Sequence, residues 1–284
     1  MMTRMNVPQP FEYAGRHGEL RGWFNQAASR HHDPVPCVLR IDCPGMSATL
    51  PERIWTELTA GLTDQQIHVA QFTPSDPAVA GRKRDQASLA SASDASEAPF
   101  DPELCVNEMR EVLASLSEQF PIEQDRIGIL GLRQATSILL VESLKALTLE
   151  CAAFVMPEFG GPPMTSNASS DDDSGIDVDD LESRGTLYTG AANGATSIED
   201  LSPPAVETMQ RTDVLLVAGA AAEEPDAASE QMWWMQTQLM SLGWPASHEL
   251  IARTDEKFSN REAVCAQRLI QFYCQLTQRR KRTR

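Results

Sequence analysis

The sequence predicts an α/β fold, a mostly parallel central sheet with helices on both faces and an N-terminal hairpin. Three observations carry that prediction. Short apolar runs such as VPCVLRID (35–42), DRIGILG (125–131) and TDVLLVAG (212–219) alternate with longer stretches of helical periodicity. Strand, helix, strand in that order is the mark of βαβ units, whose strands lie parallel. A chain of 284 residues, 42% of them hydrophobic, can bury one sizeable core, so a single domain over residues 8–280 is expected.

Taken in order, residues 9–14 and 19–25 alternate as two strands of a hairpin, with Gly15 and Gly18 near the turn. The strand 35–42 runs into the loop CPGMSATLP, and helix-like IWTELTAGL (54–62) leads to the strand 67–74. Residues 75–100, rich in Ser, Ala, Asp and Pro, read as a surface loop. A helix follows from Asp101-Pro102, a cap and a proline suited to the first turn. Cys105, Met109, Val112, Leu113 and Leu116 share one of its faces, and Pro121 closes it. The strand 125–131, a buried helix over 134–147 and the strand 150–157 come next. From about 158 to 207 Pro, Gly and Ser are frequent; the centre, 165–182, is expected to be disordered because it cannot bury enough surface to offset its chain entropy. The strand 212–219, a helix through 232–243, the strand 248–252 and a final helix over 261–277 complete the pattern.

A net charge of −16 argues against nucleic acid as a partner, since phosphates attract Lys and Arg. Much of it lies in SSDDDSGIDVDDLES (169–183), while the basic RRKRTR (279–284) reads as a solvated tail. The acidic segment is not an EF-hand loop, because Gly175 stands at the wrong offset from Asp171 and Asp173. The six cysteines form no C-x-x-C pair and sit mostly in apolar segments, as small hydrophobes do. The five histidines have no metal-ligand spacing; neither a metal nor another cofactor is expected. The N-terminus MMTRMNVPQPFEYAG lacks the apolar run of a signal peptide, and no segment approaches a membrane span of roughly 18 apolar residues. A cytoplasmic protein without membrane contact is the expectation.

Four landmarks in sequence order resemble the α/β-hydrolase superfamily, especially bacterial esterases and serine-aminopeptidase-like members, over about residues 10–280. VLRIDCPGMSA resembles the strand entering the oxyanion-hole loop, with Asp42, Cys43, Pro44 and Gly45 where the family carries H-G-x. DRIGILGLRQATSILL is similar to the strand, nucleophile elbow and helix of the family; Gly131 and Ala135 match the small residues of G-x-S-x-G, and Arg133 stands in the serine position. TDVLLVAGAAAEEPDAAS resembles the strand and acid loop, with Ala222 in the aspartate position and Glu223 and Glu224 as possible acid substitutes. HELIARTDEKFSNREA resembles the segment with the catalytic histidine: Asp255, Phe258 and Ser259 match, and Glu256 takes the histidine position.

The resemblance therefore implies a hydrolase scaffold without its triad. A guanidinium stays protonated and is no nucleophile, and no histidine follows His248. Ser137, Ser47 and Cys43 are the candidates for a displaced nucleophile, without a histidine partner; Met46 and Met164 are possible pocket lining. Three roles are compatible with the loss. Arg133 and Glu256 form an ion pair that fills the old site; or a small anionic ligand binds at Arg133, at a helix N-terminus, with Gln134, Cys43, Gly45 and Met46 around it; or the acidic insertion at 165–183, in the region of a family lid, meets a basic protein partner. The alternative is a hydrolase of ester or amide bonds with unconventional residues.

Overall fold

The structure, a computed structural model, describes residues 8–15, 18–27, 33–41, 51–73, 102–132, 149–155, 212–220, 225–255 and 257–278. The expected loop 75–100, the helix 134–147 and the segment 158–207 lie outside the described residues.

Among the described residues eight strands form one sheet: β1 (Gln9–Gly15), β2 (Gly18–Asn25), β3 (Val35–Ile41), β4 (His68–Phe72), β5 (Ile122–Leu132), β6 (Cys151–Val155), β7 (Asp213–Ala220) and β8 (Ala246–Ala252). Their order across the sheet is β1-β2-β4-β3-β5-β6-β7-β8. The hairpin β1–β2 is antiparallel, with Gly15 opposite Gly18, and β2 lies antiparallel to β4. All other neighbours are parallel. Five helices are described: α1 (Glu52–Asp64), α2 (Pro102–Gln119), α3 (Pro225–Ser241), α4 (Glu262–Tyr273) and the short α5 (Gln275–Gln278).

Strand alternation sorts these helices onto two faces. Leu39, Ile129, Ala152 and Val214 stand in register across four strands and meet α2 and α3 through Met109, Val112, Met235 and Leu239. The intervening residues Val38, Leu130, Ala153 and Leu215 face α1 and α4, where Leu58, Leu62, Leu269 and Tyr273 close the layer. The central strands are buried on both faces, which is why their sequences read as continuous apolar runs. Cys37, Cys105, Cys151 and Cys265 are buried among these residues; burial pushes the Cys37 and Cys265 thiols up to about 12.

Three of the differences in boundary from the sequence expectation have a local physical reason. β5 begins at Ile122, before the apolar run, because its pairing with β3 is irregular: Val35 is opposite Ile122 and Cys37 opposite Ile127. The intervening polar residues belong to the strand, and Arg126 is buried there, 3.4 Å from the Glu123 carboxylate. α3 starts at Pro225, a residue favoured in a first helical turn. The last helix is interrupted at Cys274, whose carbonyl accepts both the amide and the hydroxyl of Thr277 and so tightens the turn.

Candidate functional site

After β3 the chain steps outward to β4, then returns to the other side of β3 as β5. β3 and β5 are thus neighbours at a topological switch point, the place at which sites of open α/β sheets commonly lie. β3 ends at Ile41, just before the segment that resembles the oxyanion-hole loop, and β5 ends at Leu132, just before Arg133. The candidate site residues Cys43, Gly45, Met46, Arg133, Gln134, Ala222, Glu223, Glu224 and Glu256 lie outside the described residues, as do Ser47, Ser137 and Met164. What the structure gives is the frame that leads into them.

On the α1 and α4 face, the strands leading to the switch point are fastened from below. The Tyr273 hydroxyl of α4 donates to the Ile129 carbonyl of β5. Its ring lies so close to Gly128 that a Cβ there would stand 2.9 Å from ring carbon Cε1. Beside Leu130 in register is Arg40 of β3, buried, with its guanidinium 4.2 Å from the ring centre of Trp55 on α1. Neither contact was legible in the sequence, where Gly128 and Arg40 are merely breaks in apolar runs.

β8 is three strands from β5, roughly 14 Å along the sheet. The segment after β8 nevertheless turns back over the end of β7. The Thr254 amide donates to the Ala220 carbonyl at 3.2 Å, and a Cβ on Gly219 would come 2.3 Å from the Asp255 carbonyl oxygen. Asp255 then closes the turn: Oδ1 accepts the amides of Lys257 (3.0 Å) and Ser259 (2.9 Å), and Oδ2 accepts the Ser259 hydroxyl at 2.8 Å. The bonds from Ser259 amide and hydroxyl, followed by that from Lys257, hold this carboxyl below its ordinary range.

Phe258 inserts into the core at 1% exposure, with φ of 59°. Arg253 and Asn260 also have positive φ, so three of the four non-glycine residues in that region among the described chain fall in this one turn. Such backbone costs about 1–3 kcal/mol per residue and persists only where the surroundings over-determine it. The three sequence matches Asp255, Phe258 and Ser259 are thus the residues that shape the turn on either side of position 256. Gly219, which the resemblance matches to the glycine of the acid-loop motif, and Thr254 complete it; their close approach itself has no local pattern in the sequence.

The described histidines stand elsewhere. His68 is the first residue of β4, at the amino edge of the sheet; it is fully buried, and its Nδ1 accepts the Ala27 amide at 3.0 Å. Burial lowers its pKa to about 4, with the Pro121 carbonyl opposing. His248 is the third residue of β8, where its Nδ1 meets the Gln236 side-chain oxygen of α3. The sequence positions of His17 fall between β1 and β2, and those of His31 and His32 between β2 and β3, outside the described residues.

Compared by sequence, the chain matches no protein-family model and no curated protein. Compared by structure, it is similar over nearly its whole length to solved hydrolases. An alpha-beta serine hydrolase homologue from Coxiella burnetii aligns over 95% of this chain and 98% of its own, at 12% identity and a TM-score of 0.50. Est1E from Butyrivibrio proteoclasticus covers 94% and 98%, at 9% identity and a TM-score of 0.57. S-formylglutathione hydrolase (FrmB) from Staphylococcus aureus covers 94% and 98%, at 12% identity and a TM-score of 0.57. Identities this low speak to the fold. With its eight-stranded, mostly parallel sheet, helices on both faces and N-terminal hairpin, this chain has the α/β-hydrolase fold.

Proposed function

We propose that this chain is a catalytically silent relative of the α/β hydrolases, which keeps the scaffold of the site and uses it to bind rather than to cleave. One observation carries the reading: β5 leads directly into Arg133, where a hydrolase of this fold needs its nucleophile. The described histidines support it, His68 at the amino edge and His248 engaged with Gln236. Removing triad members leaves roughly 10³–10⁴-fold catalysis over water where the oxyanion hole and binding survive, and here the family histidine of that loop is replaced as well.

The bound species is a small carboxylate or phosphate. Arg133 offers a planar fork of donors that suits either group, and the helical pattern that follows would add backbone N–H groups. Glu256 is the internal competitor: without ligand it pairs with Arg133, and an arriving anion takes its place.

The test is a broad ester and amide screen of the wild type beside an Arg133→Ser, Glu256→His double variant. Alongside it, thermal stability is followed as acetate, succinate and inorganic phosphate are titrated. Wild-type turnover at background, with anion stabilisation lost in Arg133→Ala, is the expected result. Wild-type turnover that disappears in Arg133→Ala would establish instead a hydrolase with unconventional residues. No stabilisation by millimolar anion would remove the binding role.

A further inference from the structure

One row of side chains crosses the carboxyl end of the sheet on the α1 face. Strand register places Trp23 of β2 opposite Gln71 of β4, and Gln71 opposite Arg40 of β3. These positions alternate with Phe24, Ala70 and Leu39, which belong to the other face. Gln71 and Arg40 are each the last residue but one of a strand, so the row lies where the strands stop. Trp23 is 49% exposed, Gln71 is half-buried and Arg40 is buried.

α1 closes the far end of the row. Gly61 turns one flank of this helix to Ile270 of α4, and Ile54, Leu58 and Leu62 point into the core. Trp55 and Thr59, four residues apart, are on the opposite flank. The Trp55 ring covers the Arg40 guanidinium at 4.2 Å. Thr59 Oγ1 is buried with no hydrogen-bond partner among the described residues. Two indoles thus bracket a carboxamide and a guanidinium, beside an unsatisfied hydroxyl. Arg40 is already engaged within the protein, yet a guanidinium has five N–H donors and accommodates an anion as well.

We propose that this row is a binding site for a carboxylate carried on a flat aromatic ring. The carboxylate is met by the Arg40 guanidinium, and the ring lies along the Trp23 indole with the Gln71 amide between them. Three observations point to that class. A buried cation at the strand ends calls for a negative group, and the fork of a guanidinium matches a carboxylate. Trp23 presents a flat, half-exposed face against which an aromatic ring stacks favourably. β2 and β3 flank β4, so the two anchors stand ~10 Å apart, the reach of one ring with its acid and a short linker. Glu12, exposed on the same face two residues beyond Pro10, disfavours a second negative charge. The inference rests on neither Arg133 nor Glu256.

Indole N–H signals in heteronuclear NMR of the full-length chain test it, since the five tryptophans are Trp23, Trp55, Trp233, Trp234 and Trp244. Assigned through Trp23→Phe and Trp55→Phe, the first two should move as benzoate or phenylacetate is added, while the other three stay. Dissociation on the order of 1 mM is expected for ligands of this size. Benzamide, without the charge, and cyclohexanecarboxylate, without the flat ring, should bind ~10-fold more weakly. Trp23→Ala, at an exposed position, should weaken benzoate by ~10-fold, as should Arg40→Lys, with unchanged Trp233, Trp234 and Trp244 signals as the check on folding. If Arg40→Lys does not fold, Trp23→Ala and benzamide decide. The same two signals should move in Arg133→Ala, which separates this site from the elbow. No movement of either signal up to ~50 mM, movement of Trp233 alone, cyclohexanecarboxylate binding as well as benzoate, or loss of the effect in Arg133→Ala would each overturn the proposal.

Discussion

At the scale of single residues, the proposed function turns on position 133 for its chemistry and on position 256 for how the charge at 133 is met. If Arg133 and Glu256 pair as proposed, Arg133→Ala and Glu256→Ala are not additive. A double-mutant cycle by urea denaturation should return a coupling of about 1–2 kcal/mol, and the charge-swapped Arg133→Glu, Glu256→Arg pair should recover part of it. Additive costs would show that the two side chains stand apart. Asp255 shapes the turn on either side of position 256. Its pKa is depressed below the ordinary 3.8 by the Ser259 and Lys257 donors, so its stabilising effect is complete above that value and disappears as pH falls through the folded one. Asp255→Ala should speed exchange of the Lys257 and Ser259 amides by ~10-fold near neutral pH, while leaving the sheet amides unchanged.

His68 carries a pH dependence of a different kind. It is neutral in the folded chain, with a pKa of about 4 against an ordinary 6.5, because burial disfavours the charged ring. Below pH 6.5 the unfolded chain takes up a proton that the folded chain refuses. Stability is therefore complete above 6.5 and declines down to about pH 4, by roughly 3 kcal/mol in total. Urea midpoints measured across that window should show this slope in the wild type and a shallower one in His68→Gln.

At the scale of elements, the frame of the site depends on close approaches that leave no room for a methyl group. Gly219→Ala would set a Cβ 2.3 Å from the Asp255 carbonyl, a backbone atom that can yield only by displacing the turn after β8. A loss of about 1–3 kcal/mol in thermal or urea denaturation is expected, together with faster exchange in the turn. At Gly128 the atom in the way belongs to the Tyr273 ring, whose hydroxyl is anchored on Ile129. These two glycines join helix to strand and turn to strand; both lie in segments that carry the sequence resemblance, but the contacts that require them have no local pattern. By contrast, the helical face of α2 was legible: Cys105, Met109, Val112 and Leu116 are buried and Leu113 is partly so. Periodicity reports a face wherever one side of a helix meets a sheet. It missed Val106 and the buried Glu108 beside it, since it marks the centre of a face better than its rim.

At the scale of the whole molecule, β6 and β7 are paired neighbours although residues 156–212 separate them in the chain. The sheet does not need the length of that connection, because loop-closure entropy changes slowly with length. Deleting residues 165–182 should therefore leave the thermal midpoint within about 2 °C, and unfolding should remain one cooperative transition. A second transition, or a large fall in the midpoint, would show that the acidic segment is part of the folded unit. No helix among the described residues is long and apolar enough to cross a membrane.

The amino-acid sequence by itself determined the residue types in the segments that resemble the family's elbow and histidine loop: an arginine at 133, a glutamate at 256, and no histidine beyond 248. It also determined the alternation of strands and helices, because burial on one face or two imprints a local period. Strand order lies beyond that reach. That β3 and β5 adjoin, that the turn after β8 folds back over Gly219, and that β1 and β8 are the outermost strands among the described residues are all consequences of pairing between distant segments. Such pairing depends on how whole faces pack against each other, and only the folded chain brings those faces together.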